Sequence, residues 1–206
     1  MTATPRRPPG RRQRLGEDER RKQIMAAAIQ EIADSGYESA TLTRIAARAD
    51  VAKGLVWRYF SGKDELMEAT ARATMEMMRE QIVDVLDLGQ PVPDIIRSAL
   101  RQAALQVLTH RNELLALNRI VHNLHNDERS IAGFYEETYL QQEQLFRRGQ
   151  AEGSLRDFDP RVMAVTYQGS IDVMIAYLED HPEVDPAHYA AGLAEILLGG
   201  MQAGSR

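Results

Sequence analysis

Residues 41–67 read TLTRIAARADVAKGLVWRYFSGKDELM, and this stretch decides the fold. Thr41 is placed to N-cap a helix whose apolar positions Leu42, Ile45, Ala46 and Ala49 fall on one side of a 3.6-residue period. A turn follows, centred on Asp50, Val51, Ala52 and Lys53, with Val51 as the apolar plug between two helices crossing steeply. The second helix, Gly54 to Phe60, buries Val56, Tyr59 and Phe60 and leaves Lys53, Trp57 and Arg58 pointing elsewhere. Ser61 then opens a third helix, with Asp64 as its capping-box partner. A tight-turned pair of small-residue helices whose second member exposes basic and aromatic side chains is a helix-turn-helix. Such a pair reads the major groove of DNA.

Charge agrees once it is split along the chain. The formal net charge is −5, an odd value for a DNA binder. Residues 1–66, however, carry 13 Lys and Arg against 9 Asp and Glu, and residues 67–206 carry 12 against 21. The basic part coincides with the helix-turn-helix, as attraction to phosphate requires, and the acidic remainder belongs in a body held away from DNA. The chain of 206 residues is long enough for a small head and a larger body. It contains no cysteine, which excludes disulfides, thiolate metal sites and thiol redox sensing. Purely apolar runs such as Val173 to Leu178 are too short to span a bilayer, and the arginine-rich N-terminus lacks the apolar segment of a secretory signal. A cytoplasmic protein is expected.

The chain organises into three parts: a basic arm at 1–16, a helix-turn-helix domain at 17–66 and a body at 67–206. The arm is rich in Pro and Gly, with Arg6, Arg7, Arg11, Arg12 and Arg14. It reads either as a phosphate or minor-groove grip beside the head or as a passive tail. The first helix is expected from Glu17 to Ser35, closed by Gly36. A long helix from about Gly62 to Leu88 links head to body, and Pro91 and Pro93 open another. Further helices are expected at about 112–125 and 127–152, the second closed by Gly153. The pairs Asp159-Pro160 and Asp185-Pro186 combine a capping Asp with a first-turn Pro, and so start two more, at about 160–180 and 186–202. No strand alternation or internal repeat occurs. The expected fold is all-α, with about nine helices.

The run from Arg20 to about Met67 resembles the DNA-binding domain of the tetracycline-repressor (TetR) family of bacterial regulators. The resemblance is carried by an opening helix ending in Gly36-Tyr37, by Thr41-Leu42-Thr43, Ile45-Ala46, Val51-Ala52-Lys53-Gly54 and Tyr59-Phe60, and by Lys63 before Leu66. It covers about a quarter of the chain; the rest matches the family in length and helical pattern. Two positions depart from it. The family usually has Tyr where Trp57 stands and often Ser where Ala52 stands, so two hydroxyl contacts to DNA are missing here. A fainter likeness, in residues 147–178, is to fatty-acyl-CoA-responsive members and does not by itself name a ligand.

Thr41 and Thr43, at the start of the motif's first helix, are placed to hold phosphates, with Arg44 beside them able to reach phosphate or a base edge. Lys53 and Gly54 begin the recognition helix: Lys53 can donate to guanine and Gly54 lets the backbone approach. Trp57 can pack on a sugar or a thymine methyl, or else against the first helix. Arg58 and Lys63 are expected phosphate clamps.

The resemblance implies that the last two helices pair with their symmetry mates in a four-helix dimer interface. Val162, Val165, Gly169, Val173, Leu193, Ile196, Leu197 and Met201 are its candidates; the other reading makes both helices ordinary core. It also implies an effector cavity in the body, coupled to head spacing through the long helix. The candidate lining is Met75, Met78, Leu100, Asn118, His122, Phe134, Thr138, Tyr167, Gln168 and Asp172. Gln168 and Asp172, four apart on an otherwise apolar helix, serve either the pocket or the dimer seam. His122 and His125 lack a nearby third ligand and read as surface histidines rather than a metal site.

The expected function is a dimeric regulator bound to a palindromic operator in double-stranded DNA. It is read as a repressor released by a hydrophobic or amphipathic small molecule, with no cofactor. The alternative is an architectural or partner-controlled DNA-binding protein without an effector. Nothing in the chain has the nucleophile–base spacing, glycine-rich phosphate loop or zinc motif of an enzyme.

Overall fold

The computed structural model describes residues 16–125 and 132–202, without the side chains of 124, 125 and 132–134. The described residues form nine α-helices and no strand: α1 (Glu17–Ser35), α2 (Leu42–Arg48), α3 (Lys53–Tyr59), α4 (Lys63–Val83), α5 (Val92–Thr109), α6 (Arg111–His125), α7 (Ala132–Ala151), α8 (Pro160–Asp180) and α9 (Pro186–Met201). The basic arm lies outside the described residues apart from Gly16, as do residues 126–131, where the helix expected from 127 was to begin. No described helix is long and apolar enough to cross a membrane.

The first three helices build a head around Ile24, Ala28, Ile32, Ile45, Val56 and Phe60, all at most 1% exposed. Helices of seven residues, as α2 and α3 are, have little stability of their own. Their ends are therefore held by α1. The Gln23 amide donates to the Ala49 carbonyl at 2.7 Å, where α2 ends. The Arg21 guanidinium donates to the Tyr59 carbonyl at 2.6 Å, where α3 ends, and lies over the Phe60 ring. At the other end of α2, the Thr41 hydroxyl accepts the Arg44 N–H at 3.3 Å. The turn after α2 is a Schellman motif: Val51 N–H donates to Ala46 O and Asp50 N–H to Ala47 O, with Asp50 at φ 51° where glycine is usual. Aspartate tolerates that left-handed conformation better than most side chains. Val51 is half-buried against the head core, the plug its position suggests.

Between α1 and α2 sits a carboxylate, Glu31, only 3% exposed. It accepts from Arg44 Nε at 2.5 Å and Arg48 Nε at 2.8 Å, and Arg48 also pairs with Asp34 at 2.8 Å. Burial alone would raise the Glu31 carboxyl. The hydrogen bonds from Arg48 and Arg44, together with their charges, outweigh it and hold the group below its ordinary value.

Two expectations need correction. The capping box at the start of α4 is not made with Asp64. The helix begins at Lys63 after an N-cap Gly62, and the Ser61 N–H donates to Glu65 at 2.7 Å. The long helix also stops at Val83 rather than Leu88. Residues 84–90 fold into turns, where the Asp87 carboxylate accepts from the Gly89 N–H and the Gln90 side chain. Val85 and Leu88 there are exposed, so no buried face sustains the helix.

The body packs around Ile96, Leu100, Phe146, Met174 and Leu198. In it α5 lies on α9 and α7 on α8. Gly149 of α7 permits a close approach, since a Cβ there would meet Leu155 Cδ1 at 2.6 Å. The Asp159 and Asp185 carboxylates cap α8 and α9, each with Pro in the first turn, as their sequence predicts. Helix α6 serves both units: Ala116 and Ile120 complete the head core, Leu114 belongs to the body core, and Leu117 packs on both. Helix α4 does the same, with Leu66, Met67 and Ala71 in the head and Met78 in the body.

The Glu31 clamp gives a measurable consequence. Glu31→Gln is expected to lower the unfolding free energy at neutral pH by about 1–3 kcal/mol, since two charge-assisted hydrogen bonds weaken around a buried group. A carboxyl whose folded value is depressed contributes stability above its unfolded value and loses it as pH falls through the folded one. The gap between wild type and variant should therefore close on acidification below about 4.5, Glu31's ordinary value. Denaturant titrations of both proteins from neutral to acid pH check this; a gap that is constant with pH would refute it.

Candidate DNA-reading surface and effector cavity

Burial of the head core turns one side of α2 and α3 outward. Thr41, Thr43, Arg44, Lys53, Gly54, Trp57 and Arg58 are all exposed. Trp57 is 51% exposed, so it does not pack away against α1. A Cβ built on Gly54 meets nothing within 4 Å, and its φ is not positive. The fold itself thus has no need of glycine there. Two of the expected contacts already have partners in the head. Arg44 is held by Glu31 and by the Ser35 hydroxyl at 2.8 Å, although about half its side chain stays exposed. Lys63 donates to the Tyr37 carbonyl at 2.7 Å with its ammonium over the Tyr37 ring, and burial lowers the ammonium below its usual range. Sequence reading missed that Glu31, on the preceding helix, positions Arg44 and Arg48. An acidic residue on the first helix gives, in sequence, no sign of its partners.

In the body, α4 to α8 line a half-open cavity of about 340 Å³. Of the expected lining, Met75, Met78, Thr138, Tyr167, Gln168 and Asp172 line it. Leu100, Asn118 and His122 do not. Leu100 is fully buried in the body core, Asn118 turns away to donate to Glu179 at 2.7 Å, and His122 is exposed. The Phe134 side chain lies outside the described residues. Charged and polar residues that sequence reading passed over also form the walls, among them Arg72, Glu76, Arg79, Gln106, Tyr135 and Glu137. Several of them have polar partners of their own, a pattern that apolar periodicity does not reveal. Arg79 pairs with Glu76, Arg72 with Glu68 at 2.9 Å, and the Gln106 amide donates to the Met78 carbonyl at 2.8 Å.

One wall carries a continuous polar chain. The Gln142 amide donates to Gln168 Oε1 at 2.8 Å, the Gln168 amide donates to Asp172 Oδ1 at 2.8 Å, and the Tyr135 hydroxyl is bonded to Asp172. Burial pushes the Asp172 carboxyl above its usual range, partly offset by the bonds from Gln168 and Tyr135. Tyr167 stands edge-on to Phe146, centroids 5.7 Å apart, and burial raises its phenol. Among the described residues, no group of three or more His, Asp or Glu side chains converges as a metal site.

The outer face of α8 and α9 is apolar and uncovered in the single chain. Val162, Val165, Val173 and Ile196 are 63%, 45%, 66% and 75% exposed, and Gly169 has open space over it. Tyr177, not among the candidates, extends this stripe at 40% exposure. Leu193 and Leu197 are half-buried against the body core. Met201 is a correction: it is fully buried inside the chain, because its position near the end of α9 turns it inward with Leu198.

Comparison with known proteins agrees with this geometry. The model for bacterial regulatory proteins of the tetR family matches residues 24–70, the head and the start of α4. The HTH-type transcriptional regulator BetI 1 of Chromohalobacter salexigens is 30% identical over 118 residues, 49% of this chain and 58% of that protein. The HTH-type transcriptional regulator YhgD of Bacillus subtilis is 22% identical over 190 residues, 86% of this chain and 94% of that one. The chain thus spans little more than half of the first relative and nearly all of the second. Among solved structures, the fatty acid degradation regulator FadR from Bacillus halodurans superimposes with a TM-score of 0.74 at 20% identity, covering 91% of this chain and 98% of that one. AibR, solved with isovaleryl coenzyme A and operator DNA, gives 0.66 at 21% identity, covering 87% and 98%. The family match falls on the helices whose outward face bears Lys53, Gly54 and Trp57: residues 24–70 are similar to the bacterial regulatory proteins of the tetR family, and the two relatives quoted are HTH-type transcriptional regulators.

Proposed function

We propose that this protein is a homodimeric repressor that binds a palindromic operator through α2 and α3 and leaves it when a hydrophobic or amphipathic small molecule fills the body cavity. The observation that carries the reading is the sharing of α4 and α6 between the head core and the cavity wall. Met75, Met78 and Arg79 of α4 and Leu114 and Leu117 of α6 line the cavity. Other residues of the same two helices, Leu66, Met67, Ala71, Ala116 and Ile120, complete the head core. Arg119 of α6 also donates to the carbonyls of Ile32 and Ala33 at the end of α1, at 2.5 and 3.0 Å. A ligand that displaces α6 or α4 therefore moves the head as a unit. A differential affinity of about 3 kcal/mol between the two arrangements changes DNA binding by over a hundredfold.

The apolar stripe on α8 and α9 supports the dimer. A two-fold pair of heads reads two half-sites, where one short recognition helix alone would be weakly specific. The capture of AibR with a small molecule and operator DNA supports the same division of labour by analogy of fold. The cavity argues against the architectural alternative, for which a filled body would suffice. The deciding experiment selects bound sequences from random duplex DNA at physiological salt. An enriched palindrome with half-sites spaced by whole helical turns is expected; salt-sensitive binding without enrichment would favour the architectural reading.

Two variant sets test the surfaces. Gly54→Ala should leave thermal stability within about 1 kcal/mol, since its Cβ meets nothing and alanine is the better helix former, yet weaken operator binding. Lys53→Ala should cost about 1–3 kcal/mol of binding and relax one position per half-site. Gel-shift titrations alongside thermal melts check both, and unimpaired binding by Gly54→Ala would move the interface elsewhere. Gly169→Glu and Val173→Glu place a charge on the exposed stripe without touching the body core. Each should convert the dimer to a folded monomer in sedimentation velocity, and a variant that stays dimeric would relocate the interface.

A further inference from the structure

The cavity's charges are unequally provided for. Arg72 and Arg79 on its α4 wall each have a carboxylate partner, Glu68 and Glu76. Arg161, the cation near the Tyr139 ring, is held by Glu136 and Glu143. Among the described residues, Asp172 of α8 has only neutral donors, the Gln168 amide and the Tyr135 hydroxyl, and none of the described ion pairs includes it. A carboxylate removed from water without a counter-charge is costly, and burial accordingly raises the Asp172 carboxyl. Nothing in the polar chain behind it can supply the missing charge, because Gln142, Gln168 and Tyr135 are all neutral.

The surroundings of Asp172 are those that suit an organic cation. Tyr135 and Tyr167 share the cavity wall with it, and Tyr139 stacks on Tyr135 with centroids 5.8 Å apart. Ring faces attract a positive charge, and a partly desolvated carboxylate forms strong hydrogen bonds with an ammonium N–H. The rest of the wall, with Met75, Met78, Ile171 and Ile175, takes an apolar body. At about 340 Å³ the space is at the small end of ligand sites.

We infer that the cavity takes a small aliphatic or arylalkyl amine, its protonated nitrogen paired with Asp172 between Tyr135 and Tyr167 and its apolar part against α4 and α8. The inference rests on the effector reading of this cavity and makes it specific: a carboxylate-headed ligand of the same shape would be repelled by Asp172, and an alcohol would leave its charge unpaired.

The test uses octylamine, 1-octanol and octanoate, which share one alkyl chain and differ in the head group. Binding to the full chain is measured by calorimetry at neutral pH, and release of the selected operator is followed by fluorescence anisotropy. Octylamine is expected to bind at least about tenfold more tightly than octanol, with octanoate weakest. Asp172→Asn, which keeps size and hydrogen bonding but not charge, is expected to abolish the amine's advantage while octanol binding stays within a few-fold. The ranking in the wild-type protein stands as a test even if that variant does not fold. Octanoate or octanol binding as tightly as the amine, or an undiminished amine advantage in Asp172→Asn, would overturn the charge assignment and leave the cavity as an apolar effector site. Octylamine bound through Asp172 without operator release would support the cation site and remove the effector reading. Failure of all three compounds to bind would overturn both.

Discussion

The head cannot close its own core, and that constraint organises the molecule. Three helices, two of them seven residues long, form their core as one cluster with residues of α4 and α6. So small a unit buries too little surface to be stable alone. Ala116 and Ile120 of α6 and Leu66, Met67 and Ala71 of α4 supply the cover. The helices that stabilise the candidate DNA-reading surface are thus the ones that wall the cavity. Any movement of them is felt in both places because close-packed interfaces shift as units rather than deform smoothly.

Electrostatics divides along the same seam. In the head, charged side chains are spent on geometry: Glu31 orients Arg44 and Arg48, Arg21 closes α3, and Lys63 ties the loop after α1 to the start of α4. The cations left outward on α3, Lys53 and Arg58, flank Trp57. In the body, ion pairs on α4 neutralise Arg72 and Arg79, while Asp172 on α8 bonds to the neutral Gln168 and Tyr135. Glu179 lies at the junction of these regions. It is buried on α8, accepts from Asn118 of α6, and is raised by burial, with the charges of Arg111 and Arg119 offsetting part of that. Asn118 and Arg119 are neighbours on α6, so the body holds that helix through one and the head through the other.

The local instructions in the chain were legible because they act over a few residues. Gly36 and Gly153 at positive φ, Thr41 as a cap, and the Asp-Pro pairs before α8 and α9 each do what their chemistry predicts. Periodicity identified the buried face of α2 and the exposure of Trp57 and Lys53. It failed where two local signals competed, as at Ser61, where Glu65 rather than Asp64 takes the N–H. It failed again after Val83, where the side chain of Asp87 offered the backbone an alternative to the helix.

By itself, the sequence determined the all-α class, the order of the nine described helices and the helix-turn-helix, since spacing, caps and turn residues are short-range properties. Only the tertiary structure decided which polar side chains meet. It sent Asn118 to Glu179 and Leu100 into the core instead of the cavity, turned Met201 inward, and brought Tyr135, Gln142, Gln168 and Asp172 into one chain across α7 and α8. Those outcomes depend on how whole helices cross, which is set by the sum of their packing and by no one segment's pattern.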